Sequence, residues 1–226
     1  IHSTTEKSLS ENSDKGSSEW TILIYLDGDN NLEKYAIDDL NEMELVDLPN
    51  EVNVIVQLDR VADYDNSKGD WTGTRTYKIK KDDNPTKIGS LMVKEYGELN
   101  MGAPETLKDF INFGVENYPA NKYMLILWNH GGGWRDMQNE TDDNLRGISW
   151  DLTSGNDYLE MREVKSALHS SIQKMDVIGF DACLMGMLEI AYQIKDEVKD
   201  VAIFSQDVEP GDGWDYSEFF KLLKNN

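Results

Sequence analysis

The sequence predicts an α/β fold, a three-layer α/β/α sandwich around a mainly parallel sheet. Apolar runs of strand length alternate with stretches of helical periodicity along most of the 226 residues. The strand-length runs are nearly continuous in valine, isoleucine and leucine, as in sheets that are covered on both faces. Right-handed crossovers between parallel strands then place helices on both sides of the sheet.

The first half of the chain contains two of these buried strands. They are predicted at residues 20–26 and 52–59, with a helix between them that runs to about residue 46. Two short strands or a hairpin follow at 72–79 and 89–98. A helix then begins at Pro104, because proline is favoured in a first helical turn.

The second half repeats the alternation of strands and helices. Buried strands are predicted at 122–128, 176–180 and 201–206, with helices at about 158–171, from 184 to about 198, and from about Asp215. The segment 131–157 shows little periodicity, so no element is predicted there.

We predict one ordered domain. Residues 1–18 are rich in serine, glutamate and lysine and are predicted to be a disordered leader. The domain covers 19–226, with no internal repeat and no second core. It ends soon after its fifth buried strand, which would leave an open sheet edge, so the domain could be truncated at this end.

Charge and apolar content limit the partners of this protein. The formal net charge is -21, which argues against nucleic acid and anionic membranes and favours cations or basic peptides. Simple solubility is the alternative explanation of this acidic excess. No apolar run approaches the roughly 18 to 20 residues of a membrane span. Cys183 is the only cysteine, so an internal disulfide is excluded, although the compartment is not fixed.

Two reactive side chains follow buried strands. His130 comes after the strand at 122–128, and Cys183 comes after the strand at 176–180. One helix separates these strands, so we expect neighbours whose carboxyl ends are level, where ligands of parallel sheets bind. Histidine could take the thiol proton, and a helix starting after Cys183 would lower the thiol pKa further. The amides of Gly131 and Cys183 could form an oxyanion hole.

Each of these residues alone has a structural explanation. A lone cysteine is usually a core residue, and a histidine after a strand is more often structural. The pairing, together with three glycines directly after His130, favours nucleophilic catalysis. The other histidines, His2 in the leader and His169 on a predicted helix, are poor candidates.

Metal and nucleotide sites find little support. The stretch "DGDNN" at 27–31 resembles the start of a calcium loop, but no glutamate-terminated twelve-residue spacing follows. We therefore favour turn formation and capping of the next helix for these aspartates, and we predict no metal ligands. Neither a glycine-rich dinucleotide fingerprint nor a phosphate loop is present.

Four blocks of sequence resemble the clostripain family of cysteine peptidases, which belongs to the caspase-like clan. They are "IYLDGDNNLE", "WNHGGGW", "DACLMG" and "EPGDGW", and they span residue 20 to about 214. The histidine and cysteine blocks are the specific ones; their reactive residues lie 53 positions apart (183 minus 130). The resemblance implies a caspase-like sandwich with His130 and Cys183 as the catalytic dyad.

The resemblance also implies a substrate class, namely polypeptides with basic P1 residues. Family members cleave after arginine or lysine, and the acid two residues before the cysteine, here Asp181, is implicated in holding that side chain. A carboxylate would pair well with a guanidinium or an ammonium group. Capping of the following helix is the alternative role of Asp181. Asp207 and Asp212 are the candidates for a second acid.

Further expectations follow from the family. Members often mature by self-cleavage between the histidine and the cysteine; Arg146–Gly147 is the first candidate bond here, and Arg135 marks the second. No cofactor is required, although some members depend on Ca²⁺. We expect a monomer that is secreted or attached to the cell surface. Members usually extend well beyond this end, so strands and pocket walls would be missing.

Two other functions remain open at this stage. One is a caspase-like binding module without catalytic activity, which engages calcium or a surface partner. The other is a thiol-dependent acyltransferase that uses the same dyad with an acceptor other than water. The presence of His130, Gly131 and Cys183 together argues against the inactive module.

Overall fold

A seven-stranded sheet forms the centre of the molecule in the computed structural model, which describes residues 18–133 and 147–224. The strands are β1 (Ser18–Gly28), β2 (Val52–Arg60), β3 (Gly73–Lys78), β4 (Leu91–Gly97), β5 (Ala120–Trp128), β6 (Gly147–Asp151), β7 (Asp157–Glu160), β8 (Met175–Asp181) and β9 (Val198–Ile203). The central sheet has the order β4–β3–β2–β1–β5–β8–β9, whereas β6 and β7 form a separate antiparallel pair.

The central sheet is mainly parallel. β1 pairs in parallel with β2 and β5, and β8 pairs in parallel with β5 and β9. Only β3 and β4 join by antiparallel pairing, and the two successive reversals give β4 the same direction as β2. The carboxyl ends of six strands therefore lie at one edge of the sheet, where ligands of such folds bind.

Helices cover both faces of the sheet. α1 (Glu33–Glu44) and α5 (Tyr216–Lys224) pack on one face, where residues such as Leu40 and Phe220 join the apolar side chains of β1 and β2. α2 (Pro104–Asn117), α3 (Met161–Ser170) and α4 (Leu188–Ile194) pack on the other face. The predicted three-layer α/β/α sandwich is confirmed.

The segment 131–157, for which no element was expected, contains β6 and the start of β7. Ser149 in β6 has φ 59°, and the β6–β7 register shifts beside it. This irregularity breaks the two-residue alternation by which a strand is recognised in a sequence. Because β7 occupies residues up to Glu160, α3 begins at Met161 rather than near 158. The side chains of Glu160 and Glu163 form a capping box at this helix start.

The helix expected directly after Cys183 begins later and is shorter. α4 starts at Leu188 and ends at Ile194, while Val198 already belongs to β9. Leu184 has φ 61°, a left-handed backbone that a helix does not contain, and the Gly186 amide donates to the carbonyl of Ser205. The backbone after Cys183 therefore bonds to the loop that follows β9 instead of starting a helix.

The predicted leader at 1–18 lies outside the described residues except for Ser18, which already belongs to β1. In the two described stretches, none of the helices combines the length and the apolar character that crossing a bilayer would demand.

Candidate active site

His130 and Cys183 are brought together by the pairing of β5 with β8. Trp128 is the last residue of β5 and pairs in register with Asp181, the last residue of β8. The two strands thus end level at the carboxyl edge, and each reactive residue lies two positions beyond its strand. The predicted adjacency of these strands is confirmed.

A cleft of about 260 Å³ opens at this edge. His130, Asp181 and Cys183 all line it, so three of the residues selected from the sequence face one space. The loop after β9 forms the opposite wall, to which Glu209 contributes. The cleft therefore combines a thiol, an imidazole and acidic groups within reach of a single ligand.

The His130 ring is oriented by Asn31. Its Nε2 lies 2.9 Å from Oδ1 of Asn31, an acceptor, so Nε2 carries the proton and Nδ1 is left free to accept one. Burial lowers the pKa of His130 below its ordinary value, which keeps the ring neutral near pH 7. The backbone of His130 is fixed by Asn129, whose Oδ1 accepts from the His130 amide and whose Nδ2 donates to the Asp27 carbonyl.

Cys183 is half-buried at the end of a strained turn. Its Sγ lies 3.9 Å from the carbonyl oxygen of Glu209, and the next residue, Leu184, has φ 61°. Left-handed backbone at a leucine is unfavourable and persists only where the surroundings impose it. Here the Leu184 amide donates to the Asp207 carbonyl. Since α4 begins five residues after Cys183, a helix N-terminus does not act on the thiol, and that expectation was wrong.

The glycines after His130 permit close packing against the cysteine segment. A Cβ atom at Gly131 would lie 2.5 Å from the carbonyl oxygen of Cys183, so only glycine fits there. Gly133 has φ 71°, and a Cβ atom on it would meet Met187. The Gly132 amide donates to the Gly147 carbonyl at 3.1 Å. The backbone of the segment after His130 is therefore in close contact with the backbone at Cys183.

Asp181 is buried and does not cap α4. Its Oδ2 accepts hydrogen bonds from the Trp214 amide at 3.1 Å and from the Tyr216 hydroxyl at 3.0 Å. The pKa of Asp181 is raised to about 6. Burial is the largest cause and the charge of Glu209 adds to it, whereas the two hydrogen bonds from Trp214 and Tyr216 act in the opposite direction. The carboxylate thus faces the cleft in a setting that a cationic ligand would stabilise.

The remaining candidates are less closely connected with the cleft. Asp207 and Asp212 are not among its lining residues in the described part of the chain; the Asp207 side chain accepts from the Val208 amide. Arg135 and Arg146 lie outside the described residues. Gly147 is the first residue of β6 and is buried.

The stretch 27–31 forms a turn but does not cap α1. Asp27 Oδ1 accepts from the Asp29 amide, as expected of a turn. The residue before α1 is Leu32, and no side chain caps this helix start, so the expected capping by aspartate was wrong. Asp29 lies instead among carboxylates from three other segments.

Sequence reasoning missed Glu209, which lines the cleft, and Asn31, which orients the His130 ring. Both stand inside blocks that carried the family resemblance, "IYLDGDNNLE" and "EPGDGW", so their positions were available. Their roles depend on contacts with residues 99 and 26 positions away, which no local pattern reveals.

A half-buried thiol and an imidazole in one cleft, at the carboxyl edge of an α/β/α sandwich, are typical of caspase-like cysteine peptidases. A profile of the clostripain family, peptidase family C11, matches residues 24–226. The chain belongs to the clostripain family.

Relatives of known identity agree with this assignment. The chain is 36% identical over 224 residues to clostripain of Hathewaya histolytica, with 90% of this chain and 42% of that protein covered. It also resembles the structure of a secreted C11 cysteine protease from Bacteroides thetaiotaomicron in complex with an irreversible peptide inhibitor. That match has a TM-score of 0.71 and 27% identity, and it covers 88% of this chain and 52% of the other.

A third relative is an inactive zymogen of a C11 protease from Parabacteroides distasonis. The TM-score is 0.65 at 26% identity, with 89% of this chain and 52% of that chain covered. The chain thus spans about half the length of the relatives it matches.

Proposed function

We propose that this chain carries the catalytic site of a cysteine endopeptidase that hydrolyses peptide bonds after arginine or lysine. The observation that carries the proposal is the common cleft of Cys183, His130 and Asp181. Its nucleophile, base and specificity acid come from the ends of two paired strands, so the sheet itself fixes their arrangement. The similarity to clostripain supports the same substrate class.

The reaction begins with attack of the Cys183 thiolate on the scissile carbonyl carbon. His130 takes the thiol proton at Nδ1, while its Nε2 stays bonded to Asn31. The carbonyl oxygen becomes an oxyanion, which the amides of Gly131 and Cys183 stabilise. His130 then gives its proton to the leaving amine, and water releases the acyl group from sulfur.

Substrate recognition depends on charge. A P1 guanidinium or ammonium that enters the cleft would meet Asp181, which is buried and has no cationic partner among the described residues. Charge-assisted hydrogen bonds in such a setting are strong. The net charge of -21 further attracts cationic substrates. Asp207 was the second acid expected from the sequence, but Glu209 lines the cleft and Asp207 does not, so Glu209 is the better candidate for that role.

The experiment that tests the proposal uses the purified full chain with fluorogenic peptides that differ only at P1. We expect hydrolysis after arginine and lysine but not after leucine, because only a cation neutralises Asp181. The same incubation should yield a cut between Arg146 and Gly147, visible on a gel and by N-terminal sequencing. Arg146→Ala should remove that cut, while Arg162→Ala, an exposed arginine on α3, should leave it in place.

Two outcomes would contradict the peptidase. Selective alkylation of Cys183 by iodoacetamide without any peptide hydrolysis would favour the thiol-dependent acyltransferase. Absence of both selective alkylation and hydrolysis would favour the inactive binding module. A secreted or cell-surface location is part of the proposal and is supported by the secreted relative from Bacteroides thetaiotaomicron.

The pH dependence should report the charge of Asp181. Because its pKa is raised to about 6, the carboxylate form grows as pH rises through 6, and kcat/KM for an arginine peptide should rise with it. The rise of kcat with pH should occur at lower pH than the rise of kcat/KM, because a bound guanidinium stabilises the Asp181 carboxylate. Initial rates from pH 4.5 to 8 measure both limbs. If kcat/KM of Asp181→Asn still rose with pH in the same range, the rise would belong to another group, such as His130.

A further inference from the structure

A buried aspartate on α1, Asp39, lies next to the specificity acid of the cleft. Its side chain is 2% exposed and belongs to the face of α1 that packs on the sheet. Trp128, which lines the cleft, donates its indole N–H to the Asp39 carboxyl. Asp181 lies close enough to influence the pKa of Asp39 more than any other charge does. The two acids therefore share one buried region, and of the two only Asp181 lines the cleft.

Tyr216 on α5 connects these two acids. Its hydroxyl donates to Asp181 Oδ2 at 3.0 Å, and its amide donates to Glu42 of α1 at 3.2 Å. Burial is the largest cause that raises the pKa of Tyr216, followed by the charges of Asp181 and Asp39. The packing of α5 on α1 thus holds the tyrosine between the two carboxyl groups.

Asp39 has no positive partner in the part of the chain that the structure describes. Its Oδ2 is buried and makes no hydrogen bond there, and none of the ion pairs formed there involves Asp39. The charged and titratable groups that face it are Asp38 and Glu42 on its own helix, Asp181 on β8 and Tyr216 on α5. None of these is a cation. A buried carboxyl oxygen without a partner is rare and calls for an explanation.

These surroundings keep a proton on Asp39 at neutral pH. Burial, followed by the charges of Asp181 and Glu42, raises the pKa of Asp39 to about 9, while the hydrogen bond from Trp128 lowers it. Asp181, whose pKa is raised only to about 6, is already charged at pH 8. Between these two values the buried region holds one negative charge and one proton that can still be released.

We propose that Asp39 is a further, buried acid of the P1 site, which releases its proton to solvent when a substrate cation occupies the cleft beside Asp181. A guanidinium paired with Asp181 cancels the negative charge that opposes ionisation of Asp39. It also favours the charged form of Asp39 directly, an effect that is strong where water is excluded. The cation would then be held by two negative charges instead of one.

This role differs from that of a catalytic residue. Asp39 is not among the residues that line the cleft, so it acts on the bound cation through Asp181, as a positioning residue. The inference rests on the proposed preference for basic P1 residues. Its test must therefore separate binding of the cation from release of the proton.

Titration calorimetry of the full chain with a blocked arginine tests the proposal. Cys183→Ala is the parent, because it cannot cleave itself and has no thiol that titrates. The ligand is acetyl-arginine methylamide, and acetyl-citrulline methylamide is its uncharged counterpart. Measurements at pH 8 in two buffers of different ionisation enthalpy count the protons released. We expect about half a proton or more per bound arginine ligand, and a Kd that falls about tenfold between pH 7 and pH 10.

Two variants identify the source of the proton. Asp39→Asn keeps an acceptor for Trp128 but cannot titrate, so proton release at pH 8 and the fall of Kd above pH 7 should both disappear. Its Kd at pH 7 should stay within about threefold of the parent, because asparagine resembles the protonated acid. Asp38→Asn, an exposed acid on the same helix that pairs with Lys34, is the matched control and should release the proton as the parent does.

Thermal unfolding without ligand gives a second, independent measurement. A buried acid with a raised pKa stabilises the fold only below its unfolded-state pKa, and this stability is lost as the pH rises towards the folded-state value. Asp39→Asn should therefore have a higher Tm than the parent at pH 8, and the difference should shrink as the pH falls towards 4. A Tm difference that does not vary with pH would contradict a titrating Asp39.

The binding results distinguish failure of this inference from failure of the proposed function. If the parent preferred the arginine ligand to the citrulline ligand but released no proton at pH 8, the role of Asp39 would be wrong and the P1 preference would stand. Equal proton release in Asp39→Asn and the parent would assign the proton to another group. Equal affinity for the two ligands would contradict the basic P1 preference and this inference together.

Discussion

Replacing Cys183 by alanine should lower the hydrolysis of an arginine reporter by on the order of 10⁶-fold in kcat, as removal of a nucleophile does where nucleophile and base act as a unit. Folding should be preserved, since the Cys183 thiol is half-buried and its Sγ makes one weak contact, at 3.9 Å, with the Glu209 carbonyl. Steady-state rates and Tm, measured on the same sample, separate the two effects. Self-cleavage at Arg146 should disappear as well.

The companion experiment replaces His130 by alanine. Its loss should be of similar size, and the double variant should be no worse than either single one, because the two side chains serve one step. His169→Ala is the matched control: this exposed histidine on α3 pairs with Glu197 and is not among the residues that line the cleft. A Cys183→Ala variant with more than a hundredth of the original activity would refute the nucleophile.

Replacing Asp181 by asparagine should lower kcat/KM for arginine peptides by about 10²- to 10³-fold. The P1 guanidinium of the substrate would then be buried without its carboxylate partner, which costs ~2–5 kcal/mol. Asparagine keeps an acceptor oxygen for Trp214 and Tyr216, so the wall of the cleft should stay intact. The alkylation rate of Cys183 should hardly change. Parallel assays with arginine, lysine and norleucine at P1 measure the selectivity.

Two further variants sharpen the Asp181 result. Asp200→Asn, an exposed acid on β9, should leave selectivity unchanged. Glu209→Gln tests the other acid that lines the cleft. If Asp181→Asn retained its preference for arginine over norleucine while Glu209→Gln lost it, Glu209 rather than Asp181 would be the specificity acid.

The elements that the sequence predicted well are those whose signals are local. β1, β5 and β8 are continuous apolar runs, and the residues that follow them were identifiable without any contact information. In β6 the left-handed Ser149 breaks the alternation, so this strand left no readable pattern. The start of α4 was misplaced because the apolar residues after Cys183 fit a helix, whereas their backbone bonds to the loop after β9.

The same difference between local sequence signals and long-range contacts applies to the candidate site. His130, Cys183 and Asp181 were found because each stands just after or at the end of a recognisable strand. The grouping of Asp29, Asp59, Glu98 and Asp151 was missed because these carboxylates are spread over 122 positions (151 minus 29), while the only acidic pattern sought was a continuous twelve-residue loop. Pairing in the central sheet brings the ends of β1, β2 and β4 to one edge, and the end of β6, which lies outside that sheet, joins them where the Leu152 amide donates to the Asp29 carbonyl.

The pairing of β5 with β8 has a consequence for a molecule cut at Arg146–Gly147. His130 would then belong to one polypeptide and Cys183 to another, joined by the register of Trp128 against Asp181 rather than by a peptide bond. Unfolding of such a molecule separates two chains, so recovery becomes a second-order reaction that slows on dilution. The uncut chain regains its shape at a rate independent of concentration. The cleaved molecule would therefore refold poorly after unfolding, and its lifetime would be set by its rate of unfolding.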